Sequence, residues 1–151
     1  MRGRFKSPAL SSPNVGRNSG PQSFSIEREL DDNRICKQIL ESDPAIRVAA
    51  FIEGAEVTGY AEAPRTKNVF GQSGDLQKKI GFWVSVVTEM ARQMDQLFGT
   101  TESVCVTHKG LRMVTVPVSG RRSLGLSLDR SADPDKMILK IMTKFDLASS
   151  N

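Results

Sequence analysis

The chain has one histidine, one tryptophan, one tyrosine and two cysteines in 151 residues. Each scarcity removes a class of function. His108 alone cannot supply a histidine pair for a metal site, and beside a turn it reads as an exposed side chain. Cys36 and Cys105 show no CxxC or other metal spacing, so both read as small buried residues in a reducing compartment. A Cys–His nucleophile would need Cys105 and His108 to meet, and three apart on one strand they point to opposite faces. The glycines form neither a G-x-G-x-x-G nor a P-loop pattern, so no phosphate loop is signalled. Trp83 and Tyr60 are too few and too far apart for a base-stacking platform. No apolar run approaches the roughly 18 residues that span a bilayer. The N-terminus has charge but lacks the apolar stretch of a secretory signal. The expectation is a cytoplasmic protein with no cofactor, no metal and no catalytic residue.

Charge is present but localised. The formal charge is +4. Residues 1–24 hold Arg2, Arg4, Lys6 and Arg17 and no acid, which accounts for all of it. The remainder is neutral overall, which argues against a large basic nucleic-acid surface there. Rich in Ser, Pro and Gly, residues 1–24 read as a disordered tail. As a basic arm, the tail would give at most weak contact with phosphate or an acidic partner. Residues 25–146 read as one domain and 147–151 as a frayed end.

The chain is organised around 75–98. Leu76, Ile80, Trp83, Val84, Val87, Met90, Ala91, Met94, Leu97 and Phe98 recur at gaps of three and four, one stripe of a helix about 35 Å long. Phe82 and Val86, one turn apart, lie off that stripe and imply a second neighbour. Before it, a helix over 26–42 has Ile35, Cys36, Ile39 and Leu40 inside and ends at Asp43-Pro44. Ile46–Ile52 suits a strand buried on both faces. Glu53-Gly54-Ala55 turns it into a second strand, 56–61, with Val57, Gly59 and Ala61 on one side. Gly59 marks a bulge or a close backbone approach. Residues 62–74 read as a long loop whose distinctive members are Arg65, Lys67 and Phe70, candidates for contact with a partner or ligand.

After Gly99 come three strands, 103–108, 111–118 and 123–129. Pro117 belongs where no ladder hydrogen bond is needed. Leu124, Leu126 and Leu128 alternate with small polar residues as in a half-buried strand. Asp133-Pro134-Asp135 starts a last helix. The order is α-β-β-α-β-β-β-α. It implies an α+β fold, a five-stranded antiparallel sheet with a long helix on one face and two helices on the other.

That order, and the segment SVCVTHKGLRMVTVPVSGRRSLGLSLDRSADPDKMILKIMTKF at 103–145, resembles the roadblock/LC7 (dynein light chain-type) family. The resemblance covers about residues 26–146. Two details depart from it: the turn Glu53-Gly54-Ala55-Glu56, where relatives often have an Asp-Gly type turn, and the longer loop at 62–74. The resemblance implies a non-enzymatic module that pairs with itself or with a paralogue of the same type, and that serves as a scaffold or as a regulator of a small GTPase. Carried over by position, pairing would use the outer face of 75–98 (Phe82, Val86, Gln93) and the edge strand (Val104, Val106). The alternative is a small-molecule sensor of PAS or GAF type, with the 62–74 loop over a pocket and Arg65 or Lys67 meeting an anionic ligand.

Overall fold

The computed structural model describes residues 21–66 and 74–147. In order these are α1 (Pro21–Ser42), β1 (Ile46–Glu53), β2 (Glu56–Glu62), a 3₁₀ turn (Pro64–Thr66), α2 (Gly74–Arg92), α3 (Asp95–Phe98), β3 (Val104–Thr107), β4 (Arg112–Ser119), β5 (Arg122–Leu128) and α4 (Pro134–Lys144). The strands form one antiparallel sheet in the order β2-β1-β5-β4-β3. α1 and α4 cover one face. α2 covers the other, as the element order implies.

The α1/α4 face carries the larger core. Cys36 and Ile39 from α1 and Met137 and Ile141 from α4 meet Phe51, Val114, Val116, Leu124, Leu126 and Leu128 of the sheet. The α2 face holds a smaller cluster around Ala50, Ile52 and Val84. β1 is buried on both faces because it lies between β2 and β5 and under both helix layers. β5 is buried on both faces too, where the alternation predicted exposure on one: Ser123 and Ser127 sit under α2. Small polar side chains there leave room for the helix to lie close to the sheet.

Several local signals hold. Asp133 caps α4, accepting from the backbone N–H groups of Asp135 and Lys136 at 3.0 and 3.3 Å, with Pro134 in the first turn. Asp133→Ala should lower stability by about 1 kcal/mol, read as a denaturation midpoint shift. Pro117 lies beside a register shift in β4 and beyond the span paired with β3, where a missing donor is harmless. Gly59 is both bulge and close approach. Phe51 pairs with Gly59 and Ile52 with Val57, so Thr58 is the extra residue. A Cβ on Gly59 would sit 2.6 Å from that of Asp32 in α1.

Three further expectations change. The bulge reverses the side-chain alternation of β2, so Val57 packs with Tyr60 against α2 and does not share a face with Gly59 and Ala61. α1 begins at Pro21, five residues before the predicted start and inside what composition marked as tail. The rod at 75–98 is broken. Met94 N–H bonds to Ala91 O at 3.1 Å, a tightened turn, and Asp95 then accepts from the N–H and hydroxyl of Thr101 at 3.0 and 2.5 Å. Neither proline nor glycine marks that break.

Candidate functional site

α2 rests on the sheet through Gly81, Val84 and Thr88, which are buried. Gly81 is needed because Ala55 O of the β1–β2 turn lies where its Cβ would be. Those contacts fix the helix rotation, and they turn much of the predicted core stripe away from the sheet. Met90, Met94, Leu97 and Phe98 are exposed, contrary to the reading of them as core. Phe82 and Val86 are exposed as expected, Phe82 at 65% and Phe98 at 79%. Gln93 is exposed beside them. Together they form an apolar face running along α2 and α3. A monomer seldom leaves so many large side chains together in water.

β3 lies at one edge of the sheet. Val104 and Val106 are half-buried and pair with Thr115 and Met113, which puts them on the α2 side. His108 N–H bonds inward to Leu111 O at 2.8 Å, so alternation leaves the backbone groups of Cys105 and Thr107 facing outward. Cys105 itself is exposed, which corrects its reading as buried, whereas Cys36 is buried. Burial, and then the charge of Asp32, push the Cys36 thiol up to about 12, so it stays protonated and inert. His108 is exposed as expected.

The other edge strand, β2, is treated differently. Asn33 of α1 reaches over it and its Oδ1 accepts from Tyr60 N–H at 2.9 Å. A side chain thus occupies a donor that an incoming strand would need. Among the described residues, one edge is guarded and the other is open.

Arg65 does not stand free for a ligand. Its Nη2 donates to Pro44 O at 2.7 Å and to the Asp129 carboxylate at 3.1 and 3.3 Å, and Asp129 also accepts from Arg47 Nε at 2.7 Å. Lys67 and Phe70 lie outside the described residues, as do the tail bases Arg2, Arg4, Lys6 and Arg17. The space enclosed between α2 and the sheet, bordered by Ala50, Tyr60, Ile80 and Thr115, is ≈ 20 Å³, about one water. Among the described residues there is no group of three or more His, Cys, Asp or Glu able to hold a metal ion, and no helix long and apolar enough to cross a membrane.

Two carboxyls pin the corners of this frame. Burial pushes Asp129 up, but the hydrogen bond from Arg47 and the charge and hydrogen bond of Arg65 outweigh it and hold the carboxyl below its ordinary 3.8. The Ala45 N–H, then Lys140, do the same for Asp43. Both groups prefer to be ionised in the fold. Their stabilisation is therefore present above the unfolded value and is lost as pH falls through the lower folded value. Denaturation midpoints should hold steady down to about pH 4 and drop below it, and Asp129→Asn should flatten that drop.

Sequence reasoning missed the polar link inside the larger core. Asp32 is 1% exposed and receives Arg122 Nη2 at 2.6 Å, Arg122 Nη1 at 2.9 Å and Thr58 Oγ1 at 2.7 Å. The Arg122 guanidinium also lies 4.1 Å from the centroid of the Phe51 ring. The local signal was an aspartate on the inner helical face of α1, at i−4 from Cys36.

No family model and no curated protein matches the chain. Solved structures match it in fold. A Roadblock/LC7 domain from Streptomyces avermitilis aligns at TM-score 0.58 and 12% identity, covering 77% of this chain and 98% of that one. The chain has the roadblock/LC7 fold. The gliding protein MglB from Thermus thermophilus shares it at TM-score 0.57 and 14% identity, over 89% of this chain and 88% of that one. Myxococcus xanthus MglB does so at 0.58 and 12%, over 80% and 91%. A further MglB structure, described as a tetrameric arrangement, aligns at 0.57 and 14%, over 89% and 90%. Among the described residues, the long helix α2 and the short α3 after it carry the exposed apolar surface, on the face of the sheet opposite α1 and α4.

Proposed function

We propose that this chain is a non-catalytic dimerising interaction module. It pairs through the outer face of α2 and α3 and the open edge of β3, with a second copy or a roadblock-type paralogue, and acts as a scaffold or regulator of a small GTPase. The observation that carries this reading is the run of exposed apolar side chains from Phe82 to Phe98 beside an unpaired strand edge. Burying both at once would remove the apolar face from water and complete the ladder of β3. The tetrameric arrangement of an MglB of the same fold is in keeping with self-assembly. Two free thiols, one of them exposed, suit a reducing cytoplasm.

The test is the solution mass of the full chain by light scattering over a wide concentration range. A dimer is expected, and dilution should dissociate it. A monomer at every concentration would overturn pairing with itself, and the paralogue would then be sought by co-expression. Two observations weigh against the sensor alternative as read from the sequence, with Arg65 meeting the ligand: the space enclosed between α2 and the sheet holds about one water, and Arg65 is already paired.

A further inference from the structure

The flank of α2 that turns toward the hairpins encloses a separate feature. At that end of the sheet the β1–β2 turn at Gly54 and the β4–β5 turn at Gly120-Arg121 lie beside the last turns of α2. Between them is a cleft of ≈ 240 Å³, lined by Ser85, Thr88, Arg92, Arg121 and Ser123. Thr88 is 6% exposed, and its Oγ1 is buried with no hydrogen-bond partner among the described residues. An orphaned buried hydroxyl is costly and uncommon, and it calls for an oxygen or nitrogen in the adjoining space.

The surrounding groups specify which kind. Arg92 donates one nitrogen, Nη1, to Gly120 O at 2.8 Å, leaving the rest of its fork unused there. Arg121 lies over Gly54, with its Nη2 3.1 Å from where a Cβ on Gly54 would sit. It forms no ion pair among the described residues. Ser85, Thr88 and Ser123 add hydroxyl donors. Glu89 is the one acid among its lining residues, so two arginines and one glutamate share the wall. The backbone N–H of Gly54 is not available, because it donates to Arg121 O at 3.0 Å.

The geometry points to a site for a phosphate-type oxyanion, inorganic phosphate or the phosphate of a small phosphomonoester. Paired guanidinium forks and hydroxyls match its several acceptor oxygens. The cleft, ≈ 240 Å³ and open to solvent, exceeds what a bare phosphate fills, so an ester fits as well. Thr88 and Ser123 place the site on the sheet-facing flank of α2, and exposed Glu89 marks its border with the pairing face.

The experiment is thermal melting of the full chain in inorganic phosphate, in glycerol phosphate and in chloride of matched ionic strength. Phosphate should raise the melting temperature above the chloride value, and a larger rise with the ester would identify it as the preferred source. Arg121→Ala, at an exposed turn, should weaken the response by about tenfold in concentration, the loss of one charged donor pair. Glu89→Gln should strengthen it. Thr88→Val should weaken it while leaving the melting temperature in chloride unchanged or higher, because it removes an unpartnered hydroxyl. Phe82→Asp should leave the response intact, which separates this site from the pairing face. Equal melting in phosphate and chloride would overturn the site, as would a full response in Arg121→Ala. Amide NMR shifts on phosphate addition provide a second readout. They should cluster at 85–92 and 120–123, and shifts centred elsewhere would also overturn the site.

Discussion

Arg122→Ala should lower the unfolding free energy by about 3–5 kcal/mol, a large fraction of the stability of a domain this size. The side chain joins α1 to the sheet at a largely buried place. It brings two charged hydrogen bonds to Asp32 at 2.6 and 2.9 Å, and the two side chains are 14% and 2% exposed. Remove it and Asp32 keeps only the Thr58 hydroxyl, so a carboxylate is left buried without its counter-charge. The contact with the Phe51 ring is lost as well. Arg122→Lys should fall between wild type and alanine, because an ammonium keeps the charge but not the planar fork. Replacing both partners, Asp32→Leu with Arg122→Met, should recover most of the loss, since neither then leaves an unpaired charge. Urea denaturation measures all four, and an unchanged m-value would show that stability, not the denatured state, has moved. A loss below about 1 kcal/mol in Arg122→Ala would mean that the pair acts like a surface one.

That pair also marks where the sequence stops being legible. Element order, the hairpin turns, the Asp133 cap and the place of Pro117 were readable because each depends on neighbours within a few residues. Asp32 and Arg122 are 90 apart, and no local spacing connects them. The bulge at Thr58 depends on α1 pressing against Gly59, so strict alternation put Val57 on the wrong face. The stripe on 75–98 was correct as a period and incomplete as a location. Ten apolar residues at helical spacing fit a core or an interface equally well. Only the contacts of Gly81, Val84 and Thr88 with the sheet decide that Met90, Met94, Leu97 and Phe98 point away. The cleft at Thr88 was invisible for the same reason: its walls come from two turns and a helix far apart in sequence.

The second large effect is on assembly. Phe82→Asp should turn a dimer into a folded monomer. Phe82 is 65% exposed and belongs to neither core cluster, so the fold itself loses little. In a two-fold dimer the change occurs twice. Each copy forfeits about 1.5–3 kcal/mol of apolar burial, so the dissociation constant should rise by about a hundredfold to ten-thousandfold. The carboxylate adds a desolvation cost to that. Ile26→Asp is the control, since Ile26 is an exposed apolar residue on α1, on the opposite side of the sheet. Light scattering reads the mass, and circular dichroism confirms that both variants remain folded. Cys105→Pro separates the helix face from the strand edge, because it removes an outward donor of β3 while leaving the helix unchanged. A dimer that survives Phe82→Asp and is lost in Cys105→Pro would place pairing on the strand alone. A dimer that survives both would mean that the apolar face of α2 and α3 serves some other protein, and that these copies meet elsewhere.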